Sequence, residues 1–217
     1  RHIDDVCTTF SALTKAPPIP ALDNLKGVRV GIRSLPVDEP LAPDVKQALA
    51  NAQERFENAG AEIVPLSLDA RYEALVEHQK VVMAYEASQA LASEYHHYAA
   101  QMGIKLVELI EEGRATSFER YIEAKRATSQ MQQTLSQVFS EQVDIILAAS
   151  AQGEAPKGLD ATGDPIYCRA WTLLGVPCLN LPSSQGSAGM PVGVQIIADR
   201  WQDKKLLQVA RTLMKMS

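Results

Sequence analysis

Residues 183–189 form a stretch rich in serine and glycine, and its serines are candidate nucleophiles. A serine nucleophile of the G-x-S-x-G type needs a strand-to-helix turn with the serine at its apex. Here apolar runs typical of strands lie on both sides, at residues 178–181 and 192–197. The segment is therefore predicted to be a hairpin loop, and Ser187 is not assigned as a nucleophile.

The positions of the cysteines and histidines along the chain argue against a thiol nucleophile and against a metal site. Cys168 and Cys178 would need a nearby histidine to act as nucleophiles, and their apolar surroundings instead favour small buried side chains. His96 and His97 are adjacent, so on a helix they point about 100° apart, whereas metal-binding pairs lie three or four residues apart. We predict no catalytic residue, no metal site and no cofactor in this chain.

Two cations flank a segment near residue 165. Lys157 precedes it and Arg169 lies within the helix that we predict there. Either could contact an anionic group. A solvated surface charge is the simpler interpretation for Lys157, while both interpretations stay open for Arg169, because the other face of its helix carries Trp171.

The first third of the chain shows a strand, a helix and a strand. Residues 28–32 and 62–66 are short β-branched runs, and between them Pro43 begins a helical pattern that Gly60 ends. This order predicts a parallel pair of strands joined by a crossover helix.

The middle third is predicted to be helical. Helical periodicity runs over residues 71–101, Gly113 is expected to break the pattern, and Thr116 with Glu119 resembles a capping box for the next helix. That helix is expected to bury residues 118, 121, 131, 135 and 138. Residues 143–148 are apolar without alternation, which is typical of a fully buried strand.

The last third carries the clearest local signals. Asp164 followed by Pro165 is a strong helix start, and Gly175 is a matching stop. The two strands around the hairpin loop follow, and an amphipathic helix over residues 201–214 closes the pattern.

Composition and charge argue against nucleic acid and membranes as partners. The 217 residues are 46% hydrophobic and 22% charged, and the net charge of −5 gives no electrostatic reason to expect nucleic acid or an anionic membrane. No apolar stretch approaches the roughly 20 residues that span a bilayer. Three cysteines without paired spacing argue against a disulfide framework, so a cytoplasmic location is expected.

Several segments, taken in order, resemble enzymes of the amidase signature family. Residues 25–32 are similar to the family's "LKGLRVGI" strand, and residues 143–147 to its "D-x-L-L" strand. Residues 162–177 resemble the helix and strand beside its substrate pocket, and residues 189–197 its "G-x-P-x-G-x-Q" strand. The resemblance covers nearly the whole chain.

The resemblance implies an α/β fold with a mixed β-sheet enclosed by helices. Family members hydrolyse linear amides through a serine, a bridging cis-serine and a lysine, and no segment of this chain resembles the regions that carry them. Residues 1–217 would then be the C-terminal part of a single amidase domain, inactive alone. A helix over residues 3–13 that lacks an evident cap agrees with this expectation.

The resemblance also points to substrate-binding residues. Asp164, Tyr167, Arg169, Trp171 and Thr172 match the family segment that lines the acyl pocket. Helix capping and core packing explain the same residues equally well, so both interpretations stay open.

The expected partner is a small amide or a urea derivative, and a homo-oligomer is possible. Two rival functions stay open: a non-catalytic binding or assembly subunit, and an amidotransferase subunit of the A type. The sequence of residues 171–174 resembles general amidases more than amidotransferase subunits.

Overall fold

The computed structural model describes residues 2–33 and 41–216, in which eight α-helices and five strands occur. In chain order they are α1 (Ile3–Thr14), β1 (Arg29–Ile32), α2 (Pro43–Asn58), β2 (Glu62–Pro65), α3 (Arg71–Ala90), α4 (Ala92–Tyr98), α5 (Ile104–Ala115), α6 (Phe118–Glu141), β3 (Ile145–Ala149), α7 (Ile166–Leu174), β4 (Cys178–Gln185), β5 (Pro191–Ile197) and α8 (Asp203–Lys215). A short 3₁₀ turn, Ala99–Gln101, follows α4.

The five strands form one mixed sheet in the order β2-β1-β3-β5-β4. β1 is parallel to both β2 and β3, and β5 is antiparallel to both β3 and β4. The parallel pair expected from the strand, helix and strand pattern is confirmed. The hairpin around residues 183–189 is confirmed as well, although β4 extends to Gln185.

Helices cover both faces of this sheet. In β3, Ile145, Leu147 and Ala149 belong to a core shared with α1, α2 and α8. The alternate residues Ile146 and Ala148 belong to a second core, shared with α3, α6 and α7. Because successive side chains of a strand point to opposite faces, a strand buried on both sides must be apolar throughout. The expected mixed α/β fold enclosed by helices is confirmed.

Gly113 does not end a helix, contrary to the expectation from the sequence. It lies inside α5 and is buried where α5 crosses α3. A Cβ atom at this position would lie 1.9 Å from the backbone oxygen of Ala84. Glycine is needed here because the two helices approach closely, and close approach leaves the same signal in a sequence as a helix break.

Two predicted helix starts also differ from the structure. Ser117, not Thr116, caps α6: its Oγ accepts a hydrogen bond from the N–H of Arg120 at 3.2 Å, and Thr116 donates to the Glu112 carbonyl instead. α1 has a cap after all, because the His2 backbone N–H donates to Asp5 at 3.2 Å. Two side chains expected to be buried are exposed, Phe118 and Cys178.

The cysteines Cys7, Cys168 and Cys178 are free thiols. Within the described ranges, no helix combines the length and the apolar character that crossing a bilayer requires.

Candidate functional site

The candidate site lies at the carboxyl edge of the parallel strands. β1 ends at Ile32 and β3 at Ala149, and the chain continues from β3 through a loop into α7. The backbone N–H of Arg33, the first residue after β1, donates to Leu147 of β3 at 3.0 Å. In open α/β sheets, ligands bind where parallel strands end and their loops diverge.

A cleft of about 360 Å³ opens beside the end of β3. Its walls are residues 150–156, residues 162–164 before α7, residues 191–193 of β5, and the side chains Val45 and Asn180. Its size is at the lower end of the range that small-molecule sites occupy.

Asp164 lines this cleft and lies two residues before α7, which begins at Ile166 and not at Pro165 as predicted, because Pro165 is the N-cap. Its Oδ1 accepts a hydrogen bond from the N–H of Ile166 at 3.0 Å, as a capping carboxylate does. The two interpretations of Asp164 are therefore compatible, since one carboxylate oxygen caps the helix while the residue faces the cleft.

Gln195 joins three elements behind the cleft. Its side chain is buried, and its Nε2 donates to the carbonyl of Ala149 at 2.6 Å and to that of Tyr167 at 2.9 Å. β5 thereby holds the end of β3 and the first turn of α7 together. In the sequence this residue stood out only as part of a strand motif, although a glutamine inside an apolar strand indicates a buried amide that needs hydrogen-bond partners.

Two carboxylates hold the hairpin that borders the cleft. Glu154 accepts hydrogen bonds from the N–H groups of Ala188 at 2.9 Å and Met190 at 2.7 Å. Asp44, in the first turn of α2, accepts one from the Ser187 N–H at 2.8 Å. Ser187 is thus an exposed member of a hairpin turn bound through its backbone.

A second cavity, of about 270 Å³, lies beside the end of β1 and is lined in part by Arg33 and Tyr72. The Arg33 guanidinium lies over the Tyr72 ring at 4.3 Å, and that ring packs on Trp171 with 4.9 Å between centroids. Burial lowers the pKa of Arg33, but an arginine remains charged at neutral pH. Arg33 and Tyr72 were not singled out from the sequence, although a charged residue directly after a buried strand is a usable signal.

The five predicted substrate-binding residues divide among different environments. Asp164 faces the cleft, whereas Tyr167 is buried in the core shared with α1, α2 and α8, and Trp171 in the core shared with α3 and α6. Arg169 donates from Nη1 to Gln79 Oε1 at 2.7 Å, and Thr172 is exposed. Their role in substrate binding stays a prediction.

Among residues 2–33 and 41–216, no lysine ammonium donates a hydrogen bond to a serine. The lysine ammonium groups that make hydrogen bonds there donate to carboxylates, as Lys205 does to Asp144 at 2.6 Å. The same ranges hold no group of three or more potential metal ligands.

Sequence comparison decides the family. A sequence model of the Amidase family matches residues 8–207. The chain belongs to the amidase family.

Amidase relatives with curated names include the A-type subunits of glutamyl-tRNA(Gln) amidotransferase from two bacteria. The protein of Bordetella avium is 30% identical over 218 residues, which cover 86% of this chain and 42% of the relative. The protein of Neisseria gonorrhoeae is 29% identical over 220 residues, covering 87% and 45%. The chain therefore spans less than half the length of these relatives.

Solved structures show the same amidase fold. A crystal structure of an amidase has a TM-score of 0.84 at 23% identity and covers 99% of this chain and 51% of its own. A bacterial aryl acylamidase of the amidase signature family gives 0.75 at 18% identity, with 100% and 52% covered. The 6-aminohexanoate cyclic dimer hydrolase gives 0.77 at 16% identity, with 100% and 53% covered.

Proposed function

We propose that this chain is the substrate-side part of an amide C–N bond hydrolase. The observation that carries the proposal is the match to the Amidase family over residues 8–207. In this proposal the chain completes the sheet and shapes the acyl pocket, while a serine, a cis-serine and a lysine from a region outside this sequence perform the reaction. The substrate is a small amide or urea derivative, and the protein acts in the cytoplasm.

The proposed chemistry divides the work between the two parts. The lysine must be neutral to accept a proton, which burial achieves by disfavouring its charged form. The serine then attacks the amide carbon, and backbone N–H groups stabilise the oxyanion. The cleft beside the end of β3, with Asp164 at its wall, is the proposed place for the acyl group.

The test is ammonia release from a panel of simple amides and urea derivatives. We expect no product from the purified 217-residue chain, whose folding is verified by circular dichroism. We expect ammonia from the protein as it occurs in its natural host, with an intact mass well above 23.7 kDa. Turnover by the pure 217-residue chain that a single substitution such as Ser150→Ala or Ser187→Ala abolishes would contradict the proposal.

A second candidate is an amidotransferase subunit of the A type, which the names of the relatives favour. Such a subunit would release ammonia for a partner rather than into solution. Purification of the natural protein under mild conditions distinguishes the two. Ammonia release by a protein with no co-purifying subunit supports the hydrolase, and glutamine-dependent activity that requires a partner supports the amidotransferase.

A third candidate, a non-catalytic binding or assembly subunit, predicts a different mass. A natural protein with an intact mass near 23.7 kDa and no amide turnover would favour it over both enzymes.

A further inference from the structure

Arg33 presents a buried positive charge that has no anionic partner among residues 2–33 and 41–216. The residue is only 9% exposed, and its guanidinium rests over the Tyr72 ring and 5.6 Å from the Trp171 ring. In the described part of the chain, no carboxylate oxygen lies within 4.0 Å of this guanidinium, and it donates no side-chain hydrogen bond. A buried arginine normally has such an acceptor, because desolvating its charge costs free energy.

Two other polar atoms, on the two rings that Arg33 contacts, have no hydrogen-bond partner among the described residues. They are the hydroxyl of Tyr72 and the indole Nε1 of Trp171, and both are fully buried. Buried hydroxyl and indole groups are nearly always paired in folded proteins. A buried guanidinium packed on two rings whose own polar atoms lack an acceptor indicates a place for an oxyanion.

The neighbouring cavity has the space for a small group, and two carboxylates of the described residues lie in its wall. Asp69 and Glu73 both line it. Asp69 is neutralised by Arg71, which donates from Nε at 2.9 Å and from Nη2 at 2.7 Å. Glu73 is exposed and makes no ion pair with Arg33, although its charge raises the pKa of Arg33 against the larger effect of burial.

We propose that Arg33, assisted by Tyr72 and Trp171, binds a carboxylate or similar small oxyanion of the substrate, so that the substrate is an amide that also carries a negative charge. This inference rests on the proposed amide hydrolase function and specifies its substrate class. A guanidinium suits the role because it stays charged and binds a carboxylate through two parallel hydrogen bonds. The aromatic rings keep it in place without neutralising it.

The experiment compares two probes that differ by one charge. The 217-residue chain is titrated with succinamate, which carries an amide and a carboxylate, and with neutral succinamide. Binding is followed by calorimetry and by the ¹H–¹⁵N signal of the Trp171 indole, with the exposed Trp201 as internal reference. We expect succinamate to bind about tenfold tighter or more and to shift the Trp171 signal, as a charge-assisted hydrogen bond implies.

Matched variants test whether the preference for succinamate over succinamide arises at Arg33. Arg33→Gln should reduce it to about twofold, whereas Arg120→Gln, the same charge change at an exposed residue of α6, should leave it intact. Tyr72→Phe removes only the hydroxyl and should weaken succinamate binding severalfold. Glu73→Gln should strengthen it, since it removes a repelling charge. The last two variants keep the test decisive if Arg33→Gln does not fold.

The outcomes separate this inference from the proposed function. Equal binding of the two probes, or succinamate binding that Tyr72→Phe and Glu73→Gln leave unchanged, would overturn the oxyanion site. Amide hydrolysis by the natural protein without preference for charged amides would overturn the site alone. Arg33-dependent binding of succinamate in a natural protein that hydrolyses no amide would overturn the hydrolase and retain the site.

Discussion

Asp144 shows how a single carboxylate joins distant parts of this chain. It accepts hydrogen bonds from the backbone N–H of Arg29 at 2.9 Å, from Arg29 Nε at 3.2 Å and from Lys205 Nζ at 2.6 Å. Burial alone would raise the pKa of Asp144, but the hydrogen bonds from Lys205 and Arg29 together outweigh it, so the pKa is lowered. The residue before β3 thus links β1 to α8.

Replacing Asp144 should make stability less dependent on pH. A carboxyl whose folded pKa lies below its unfolded value of about 3.9 stabilises fully above that value and loses its effect as the pH falls through the folded pKa. We expect Asp144→Asn to lower the free energy of unfolding by about 1–2 kcal/mol at pH 7, because charged hydrogen bonds are lost at a partly exposed site. The difference should shrink below about pH 4.

Urea unfolding at pH 7, 5 and 3.5 measures this difference. Asp160→Asn, at an exposed loop position, serves as the control and should show little change. A gap between wild type and Asp144→Asn that is the same at all three pH values would contradict the assignment.

Gln195 should contribute more to stability than its place in a strand implies. Gln195→Met keeps the side-chain length but leaves the Ala149 and Tyr167 carbonyls without their amide donor. We expect a loss of about 1–3 kcal/mol in the free energy of unfolding, since each of the two lost hydrogen bonds contributes about 0.5–1.5 kcal/mol. Chemical denaturation measures it, with Gln133→Met on the exposed face of α6 as a control within about 0.5 kcal/mol of wild type. Equal losses in both variants would show that the two hydrogen bonds contribute nothing specific.

At the scale of the elements, the close crossing of α3 and α5 depends on Gly113, which has no side chain. Gly113→Ala would place a Cβ against the Ala84 carbonyl and force the helices apart. We expect a loss of at least about 2 kcal/mol despite alanine's better helix propensity, because overpacking outweighs the gain of about 1 kcal/mol.

Gly103→Ala is the matched control for this crossing. Its Cβ would meet nothing within 4 Å, and the φ of Gly103 is −63°, which alanine adopts freely. Thermal unfolding of both variants compares them. Stabilisation by Gly113→Ala would mean that α5 does not lie against α3 as described.

The elements also show what a sequence pattern can and cannot determine. Strands β1, β2 and β3 were predicted within one or two residues, because short runs of β-branched or apolar residues leave few alternatives. Gly113 was misassigned, since a glycine that ends a helix and one that admits a neighbouring helix look alike without the partner in view. Cys178 was expected to be buried, but it begins a strand at the edge of the sheet, which the local pattern does not reveal.

The candidate site was predictable only in part, for a related reason. α7 was predicted from capping rules that act over a few residues, although it begins at Ile166, one residue after the predicted Pro165. The oxyanion site requires Arg33, Tyr72 and Trp171, which come from three separate elements. Their proximity follows from the strand order, and a single sequence does not state that order directly.

At the scale of the whole molecule, several large apolar side chains are exposed to solvent, which is unfavourable. Leu13 is 81% exposed, Ile104 68%, Phe118 59% and Trp201 85%. The strands β2 and β4 also form the two edges of the sheet. Exposed apolar groups and unpaired strand edges promote association.

We therefore expect the isolated 217-residue chain to self-associate. Light scattering coupled to size exclusion, between about 5 and 100 μM, should show a mass that rises with concentration. Replacing Ile104 and Phe118 together by serine should reduce the association, while the same change at the buried Ile110 should instead unfold the chain. A monodisperse monomer over the whole range would refute this expectation.

The central position of β3 has a consequence for how the chain acquires its fold. β1 and β3 are neighbours, yet the hydrogen bonds that join their ends span 115 residues, and the intervening chain includes the five helices α2 to α6. β4 and β5, in contrast, pair through a short hairpin. Contacts distant along the chain close slowly, because the entropy of loop closure must be lost before they form. The outer hairpin and the helices should therefore organise early, and the rate-limiting step of folding should be the docking of β1 at the middle of the sheet.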